Sequence, residues 1–99
     1  MNNEITQEKM NKYFDITGRA LKKVAIVSDS FSVGKTQADD FFDMASRYYA
    51  DAQHFYKQGD WVLAYGALNY AHGWLDAGAR LGLFDVDGDD VLFTVDAKK

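Results

Sequence analysis

No proline interrupts the 99 residues, so nothing along the chain ends a helix by removing an N–H or by ring clash. Against that background, apolar side chains return at helical spacing in three segments. Met10, Tyr13, Thr17, Ala20, Val24 and Val27 predict a first helix over about 5–28, with Thr6 placed to cap its start. The run SDSFSVGK breaks the pattern and reads as a loop. Phe41, Ala45, Tyr48, Ala52 and Phe55, widened by Phe42, Tyr49 and Tyr56, predict a second helix over about 36–58. Thr36 with Asp39 resembles a capping box at its start, and Gly59 suits the left-handed position just past its end. Asp60 then caps a third helix over about 60–81, whose inner stripe is Trp61, Ala64, Leu68, Ala71, Leu75 and Gly78 and which Gly82 closes. A turn this short makes the second and third helices antiparallel neighbours. The fold expected is all-α: an antiparallel three-helix bundle in residues 1–82, followed by an acidic extension over 83–99 that packs on the bundle or is partly disordered. Val91, Phe93 and Val95 alternate after the turn-forming DGDD, which predicts a short extended segment or hairpin there.

The stretch NYAHGWLDAGARLG, residues 69–82, is crowded with small residues. Ala64, Ala71 and Gly78 recur every seven positions, as do Ala45 and Ala52 in the second helix. Small side chains along a seam let helix backbones approach toward the short end of the roughly 8–10 Å range of helix pairs. Glycine costs up to ~1 kcal/mol against alanine inside a helix. Gly66, Gly73 and Gly78 therefore need a packing or binding reason, of which close approach is the simplest.

Composition narrows the function classes. The chain has no cysteine, which excludes disulfides and thiolate metal sites and agrees with a reducing, cytoplasmic setting. No apolar run is long enough to span a membrane, and the first residues, MNNEITQEKM, lack the pattern of a secretion signal. The net charge is −4. An acidic body argues against nucleic-acid binding, whose affinity comes from Lys and Arg on phosphate. The basic side of the first helix, with Lys9, Lys12, Arg19, Lys22 and Lys23, reads as a solvated face.

Four constellations bear on chemistry. VAIVSDSFSVGKT ends like a phosphate-binding loop, but the glycine the motif needs five residues before that of GKT is Asp29, an anion where phosphate would sit. Asp85, Asp87, Asp89 and Asp90 are close enough for calcium, yet Asp90 stands where the calcium loop needs glycine. The two histidines, His54 and His72, lack metal-pair spacing, so no metal and no cofactor is expected. Asn69, His72, Asp76 and Arg80 share one side of the third helix, and His72–Asp76 and Asp76–Arg80 are each four residues apart. They are the best candidates for a small-ligand or anion site: Asp76 would orient His72 and Arg80 would hold an anion. The competing reading is a partly buried network that fixes helix register. No nucleophile accompanies them, so no catalytic residue is assigned.

Arg47 and His54 have the R-x6-H spacing of the metal-independent RNases of the HEPN superfamily. Such chemistry would use an arginine on phosphate charge and a histidine as acid or base. Here Tyr48 follows the arginine, the third helix has no R-x-H, and Asp43, Arg47 and Asp51 form an ordinary i, i+4 ladder. Tyr48, Ala52, Phe55, Gly59, Trp61, Ala64, Leu68 and Ala71 resemble the packing residues of a single tetratricopeptide repeat, without its closing proline. A broader match covers MASRYYADAQHFYKQGDWVLAYGALNYAHGWLDAGARLGLFDV, which resembles the short archaeal family catalogued as domain of unknown function 357. That resemblance implies an archaeal source and a helical bundle, and it carries no catalytic residues over. Three function classes follow. The first is a non-catalytic module that binds a protein or itself through an apolar or aromatic helix face, motivated by the rings Tyr49, Tyr56, Tyr65, Tyr70 and Trp74. The second is a ligand or anion site on the third helix, and the third an RNase of HEPN type.

Overall fold

A computed structural model describes residues 4–27 and 35–93. Three helices are formed: α1 Gln7–Val27, α2 Lys35–Lys57 and α3 Trp61–Arg80. Their ends are set by the chemistry of single residues. The Thr6 hydroxyl accepts the Lys9 N–H at 3.1 Å, and the Asp60 carboxylate accepts that of Leu63 at 3.1 Å, each satisfying a helix donor that has no partner within its helix. Thr36 does not cap α2. That helix already includes Lys35, so Thr36 lies within its first turn. Gly59 and Gly82, at φ +81° and +78°, end α2 and α3 by one device. At the first, the N–H groups of Gly59 and Asp60 turn back to the carbonyls of Tyr56 and Phe55. At the second, those of Gly82 and Leu83 turn back to Ala79 and Gly78. This crossed pair satisfies the last carbonyls and needs a left-handed residue at its centre.

The helices run up, down and up. Tyr13 of α1 meets Tyr65 of α3 edge-on at 5.0 Å, and Thr17 meets His72, so α1 and α3 point the same way with α2 antiparallel to both. The most extensive contact is between α2 and α3, and the slightest between α1 and α2. Ala45 and Ala52 of α2 and Ala64, Ala71 and Gly78 of α3 are buried, as the seven-residue repeat requires. Nine tenths or more of the surface of Met10, Thr17, Ala20 and Val24 is likewise removed from water.

The core divides into two clusters. One end is a ring-walled cluster in which Met10, Ala52, Ala64, Ala67 and Leu68 are enclosed by Tyr13, Phe14, Tyr49, Phe55, Tyr56, Trp61 and Tyr65. The other joins Ala20, Val24, Ala45, Leu75 and Ala79 to four residues from beyond α3: Phe84, Val86, Leu92 and Phe93. Burying those four contributes roughly 1.5–3 kcal/mol apiece before the cost of ordering the chain. That is comparable to the whole stability of a small domain, roughly 5–15 kcal/mol. The acidic tail is therefore a structural part of the core.

Over residues 81–93 the chain winds through turns instead of a hairpin, and Val95 lies outside the described residues. Asp85 accepts the Asp87 N–H at 3.1 Å, Asp89 accepts those of Val91 and Leu92 at 3.1 and 3.0 Å, and Asp87 and Gly88 are left-handed. Aspartates that bond backbone two and three residues ahead favour turns over a ladder. The alternation at Val91 and Phe93 is thus not that of a strand: Val91 faces water, while Leu92 and Phe93 are both buried.

Candidate functional site

His72 sits between the two core clusters and carries the polar chemistry of the interior. Its Nε2 lies 2.8 Å from the Leu92 carbonyl, which only accepts, so that nitrogen donates. Its Nδ1 lies 3.2 Å from the Thr17 hydroxyl. The neutral ring, protonated at Nε2, satisfies both by accepting from Thr17 and donating to the tail. Thr17 is buried, and His72 is what keeps its hydroxyl from being an orphan. One side chain on α3 thereby ties α1 and the tail together.

Of the other three members of the candidate polar stripe, Asp76 stands beside this ring, and Asn69 and Arg80 do not. Asp76 Oδ1 stands 3.8 Å from His72 Nε2, within ion-pair reach but beyond hydrogen-bond length. Asn69 hydrogen-bonds with the exposed-side hydroxyl of Tyr65, which also meets Tyr13. Arg80 is exposed, one turn beyond Asp76. The three grooves described below are lined by none of the four.

The remaining sequence candidates separate in the same way. Arg47 pairs with Asp43 at 2.9 Å on the open surface of α2, and His54 is exposed beside the Phe55 ring. Asp89, whose carboxylate already holds two backbone N–H groups, faces Lys23 at 4.0 Å. Among the described residues no three His, Cys, Asp or Glu side chains converge as metal ligands. The loop of the phosphate-binding motif falls mostly in 28–34, outside the described residues.

The three glycines of α3 separate. Gly78 is the site of close approach, but its neighbour is the tail: a Cβ there would stand 2.2 Å from Cε2 of Phe84. The chain folds back because the Gly78 carbonyl receives the N–H of both Leu83 and Phe84, which sets the ring against the bare α-carbon. At Gly66 and Gly73 an added Cβ meets nothing within 4 Å. The expectation that they serve close approach within the bundle is therefore wrong; both lie on the side of α3 turned away from α1 and α2. A fourth glycine, Gly18 of α1, does serve a crossing. A Cβ there would stand 2.8 Å from the Tyr49 hydroxyl, which donates to the Phe14 carbonyl at 3.2 Å. Burial, and then the negative charge of Asp15, holds Tyr49 above the ordinary tyrosine pKa. Gly18 left no sequence signal, since only the folded chain brings α2 across it.

The outward side of α3 is unusual. Leu63, Gly66, Tyr70, Gly73, Ala77 and Leu81 follow one another at steps of three and four and are all exposed. Of the large ones, Leu63 is 50% exposed, Tyr70 63% and Leu81 68%, and Val62 beside them is 72% exposed. Among the twenty residues of α3 only Asp76 and Arg80 carry a fixed charge. Along the α2 margin of this stripe, Phe41 and Trp74 meet edge-on at 4.9 Å and Tyr48 and Tyr70 lie 4.8 Å apart. Between the margin and the stripe lies a groove of about 350 Å³ lined by Phe41, Tyr70, Gly73, Trp74, Ala77 and Leu81, none of them charged. Two further grooves follow the slight α1–α2 contact, and both include charged side chains: Lys57 in one, Asp15, Arg19 and Lys22 in the other.

The fold and this surface define a class: an all-α, up-down-up bundle whose third helix is apolar on its outer side as well as its inner one. The chain belongs to the family described as protein of unknown function DUF357, whose profile matches residues 12–84. That span takes in α1 from its second turn on and all of α2 and α3, and ends on Phe84, the ring seated on Gly78. No curated protein and no solved structure matches the chain. No helix among the described residues is long and apolar enough to cross a membrane.

Proposed function

We propose that the protein is a non-catalytic interaction module, in an archaeal cytoplasm as sequence resemblance and composition imply, and that it binds protein through the outer face of α3. One observation carries the reading: a helix apolar on its outer side as well as its inner one has a second face to bury, and α3 leaves Val62, Leu63, Tyr70 and Leu81 in water. Single exposed apolar residues are ordinary; a contiguous stripe running the length of a helix, with a groove beside it, marks a contact surface. The chemistry fits no reaction equally well. Both nitrogens of His72 are taken up by Thr17 and Leu92.

The test places a photoreactive side chain at Val62 of the full chain in cells of its source. A discrete protein adduct is expected, and it should vanish when Tyr70→Glu and Leu81→Glu are added. Adducts that are absent, or that persist with those charges in place, would overturn the assignment.

A further inference from the structure

We infer that the occupant of this face is a second copy of the same chain, packed α3 against α3 in antiparallel sense about a twofold axis near residue 72; the inference rests on the reading of α3 as a contact surface. A twofold contact demands that one surface complement itself. Reversed, the stripe does so. Leu63 falls opposite Leu81, Gly66 opposite Ala77, and Tyr70 opposite Gly73, with every pair centred within a residue of the same point. The large ring of each copy then meets the bare α-carbon of the other, and large meets large only at the two ends. Gly66 and Gly73, where an added Cβ meets nothing within the chain, acquire a role: they admit the partner's backbone and the Tyr70 ring.

Charge agrees with the antiparallel sense. At the ends of α3 the fixed charges are opposite, Asp60 before the first turn and Arg80 in the last, each flanking the stripe, and both are exposed. Antiparallel pairing brings the end of α3 that carries Arg80 to the end of the other copy that carries Asp60, twice over. A parallel pairing would set Arg80 beside Arg80 and Asp60 beside Asp60, and like charges side by side are unfavourable. The two helix dipoles also oppose in the antiparallel arrangement. The area is modest. One face of a twenty-residue helix, about 30 Å long, with the groove margin of Phe41, Tyr48 and Trp74, falls toward the low end of the ~800 Å² per partner typical of specific interfaces. The dimer is therefore expected to form in the micromolar range rather than the nanomolar.

Sedimentation of the full chain over a series from about 1 μM to about 1 mM, a range that brackets such an interface, tests this. The mass should rise from 11.2 kDa toward twice that value. Gly73→Glu should remain at 11.2 kDa throughout and fold normally, because its side chain enters open space and glutamate is the better helix former. A wild-type chain that stays monomeric across the series overturns the inference, while a discrete adduct at Val62 to another protein would leave the interaction reading standing. A Gly73→Glu chain that associates as the wild type does overturns the choice of face. Register is read separately, since the chain has no cysteine of its own. Mixed Gly66→Cys and Ala77→Cys chains should cross-link under mild oxidation. Gly66→Cys alone should not, because its two copies would lie ~16 Å apart along the seam, far beyond disulfide reach. Cross-linking of Gly66→Cys alone would overturn the antiparallel register.

Discussion

Gly78→Ala is the substitution whose sign depends on the tail. In a helix interior the change is favourable by up to ~1 kcal/mol. Here the new methyl would stand 2.2, 2.5 and 2.9 Å from three carbons of the Phe84 ring, which is itself buried among Val86, Leu92 and Phe93. Overpacking of this kind typically costs about 1–3 kcal/mol, and a ring anchored by two backbone bonds to the Gly78 carbonyl has little room to retreat. The net expectation is a loss of about 1–2 kcal/mol, and roughly 4–8 °C in Tm for each kcal/mol in a domain of this size. Phe84→Ala should by itself cost about 3–5 kcal/mol. In that background the obstruction is gone, and Gly78→Ala should become stabilising by up to ~1 kcal/mol. Chemical denaturation of the four chains in a double-mutant cycle reads the coupling, expected at about 2 kcal/mol or more. Gly66→Ala and Gly73→Ala serve as controls that should stabilise in either background, since each new methyl enters open space. If Gly78→Ala stabilises the wild type as much as they do, or changes stability equally in both backgrounds, the packing of the tail on α3 described above is wrong.

Other outcomes follow from the same contacts. His72→Ala leaves the buried Thr17 hydroxyl and the Leu92 carbonyl without a protein partner and should cost about 1–3 kcal/mol; amide exchange in residues 84–93 should accelerate more than that of the ring-walled cluster. Thr17→Val, which removes the hydroxyl and keeps the shape, should cost less than His72→Ala, and the reverse order by denaturation would refute the tie. Because burial raises the Tyr49 pKa above its unfolded value, the neutral phenol favours the folded state. That contribution is complete below about pH 10 and lost as pH climbs through the raised value. Stability followed from pH 8 to 11.5 should fall less steeply in Tyr49→Phe than in the wild type, and parallel curves would refute the assignment. Asp60→Ala should cost about 1 kcal/mol through loss of the α3 cap, seen as a lower denaturation midpoint with an unchanged slope.

The bundle was legible because its signals are local. Spacing of three and four places Met10, Thr17, Ala45, Ala52, Leu68 and Leu75 inside whatever partner each helix finds. Thr6, Gly59, Asp60 and Gly82 act on the backbone within a few residues of themselves, so their roles need no knowledge of the fold. The same locality explains the expected cap at Thr36, which falls inside a helix that already includes Lys35, since the residues before Lys35 carry no periodic signal. The alternation at Val91 and Phe93 misled for a related reason: a period of two over a few residues is weaker than the pull of Asp85 and Asp89 on the N–H groups ahead of them.

What tertiary structure alone decided is which neighbour each small residue meets. By composition Gly18, Gly66, Gly73 and Gly78 are equivalent positions in helices, each disfavoured by the same backbone entropy. Folding sets Gly78 under Phe84 and Gly18 under Tyr49, and leaves Gly66 and Gly73 facing outward. Likewise His72 and Asp76 are legible as neighbours at one turn's separation and stand 3.8 Å apart, but the hydrogen bonds of the ring go to Thr17 and Leu92, residues 55 and 20 positions away. Helical period fixes which way a side chain faces; what stands on that side is set by how distant segments pack. The sequence by itself determined the helices, most of their ends and their inner faces, whereas only the packed chain decided which apolar side chains of α3 are left uncovered.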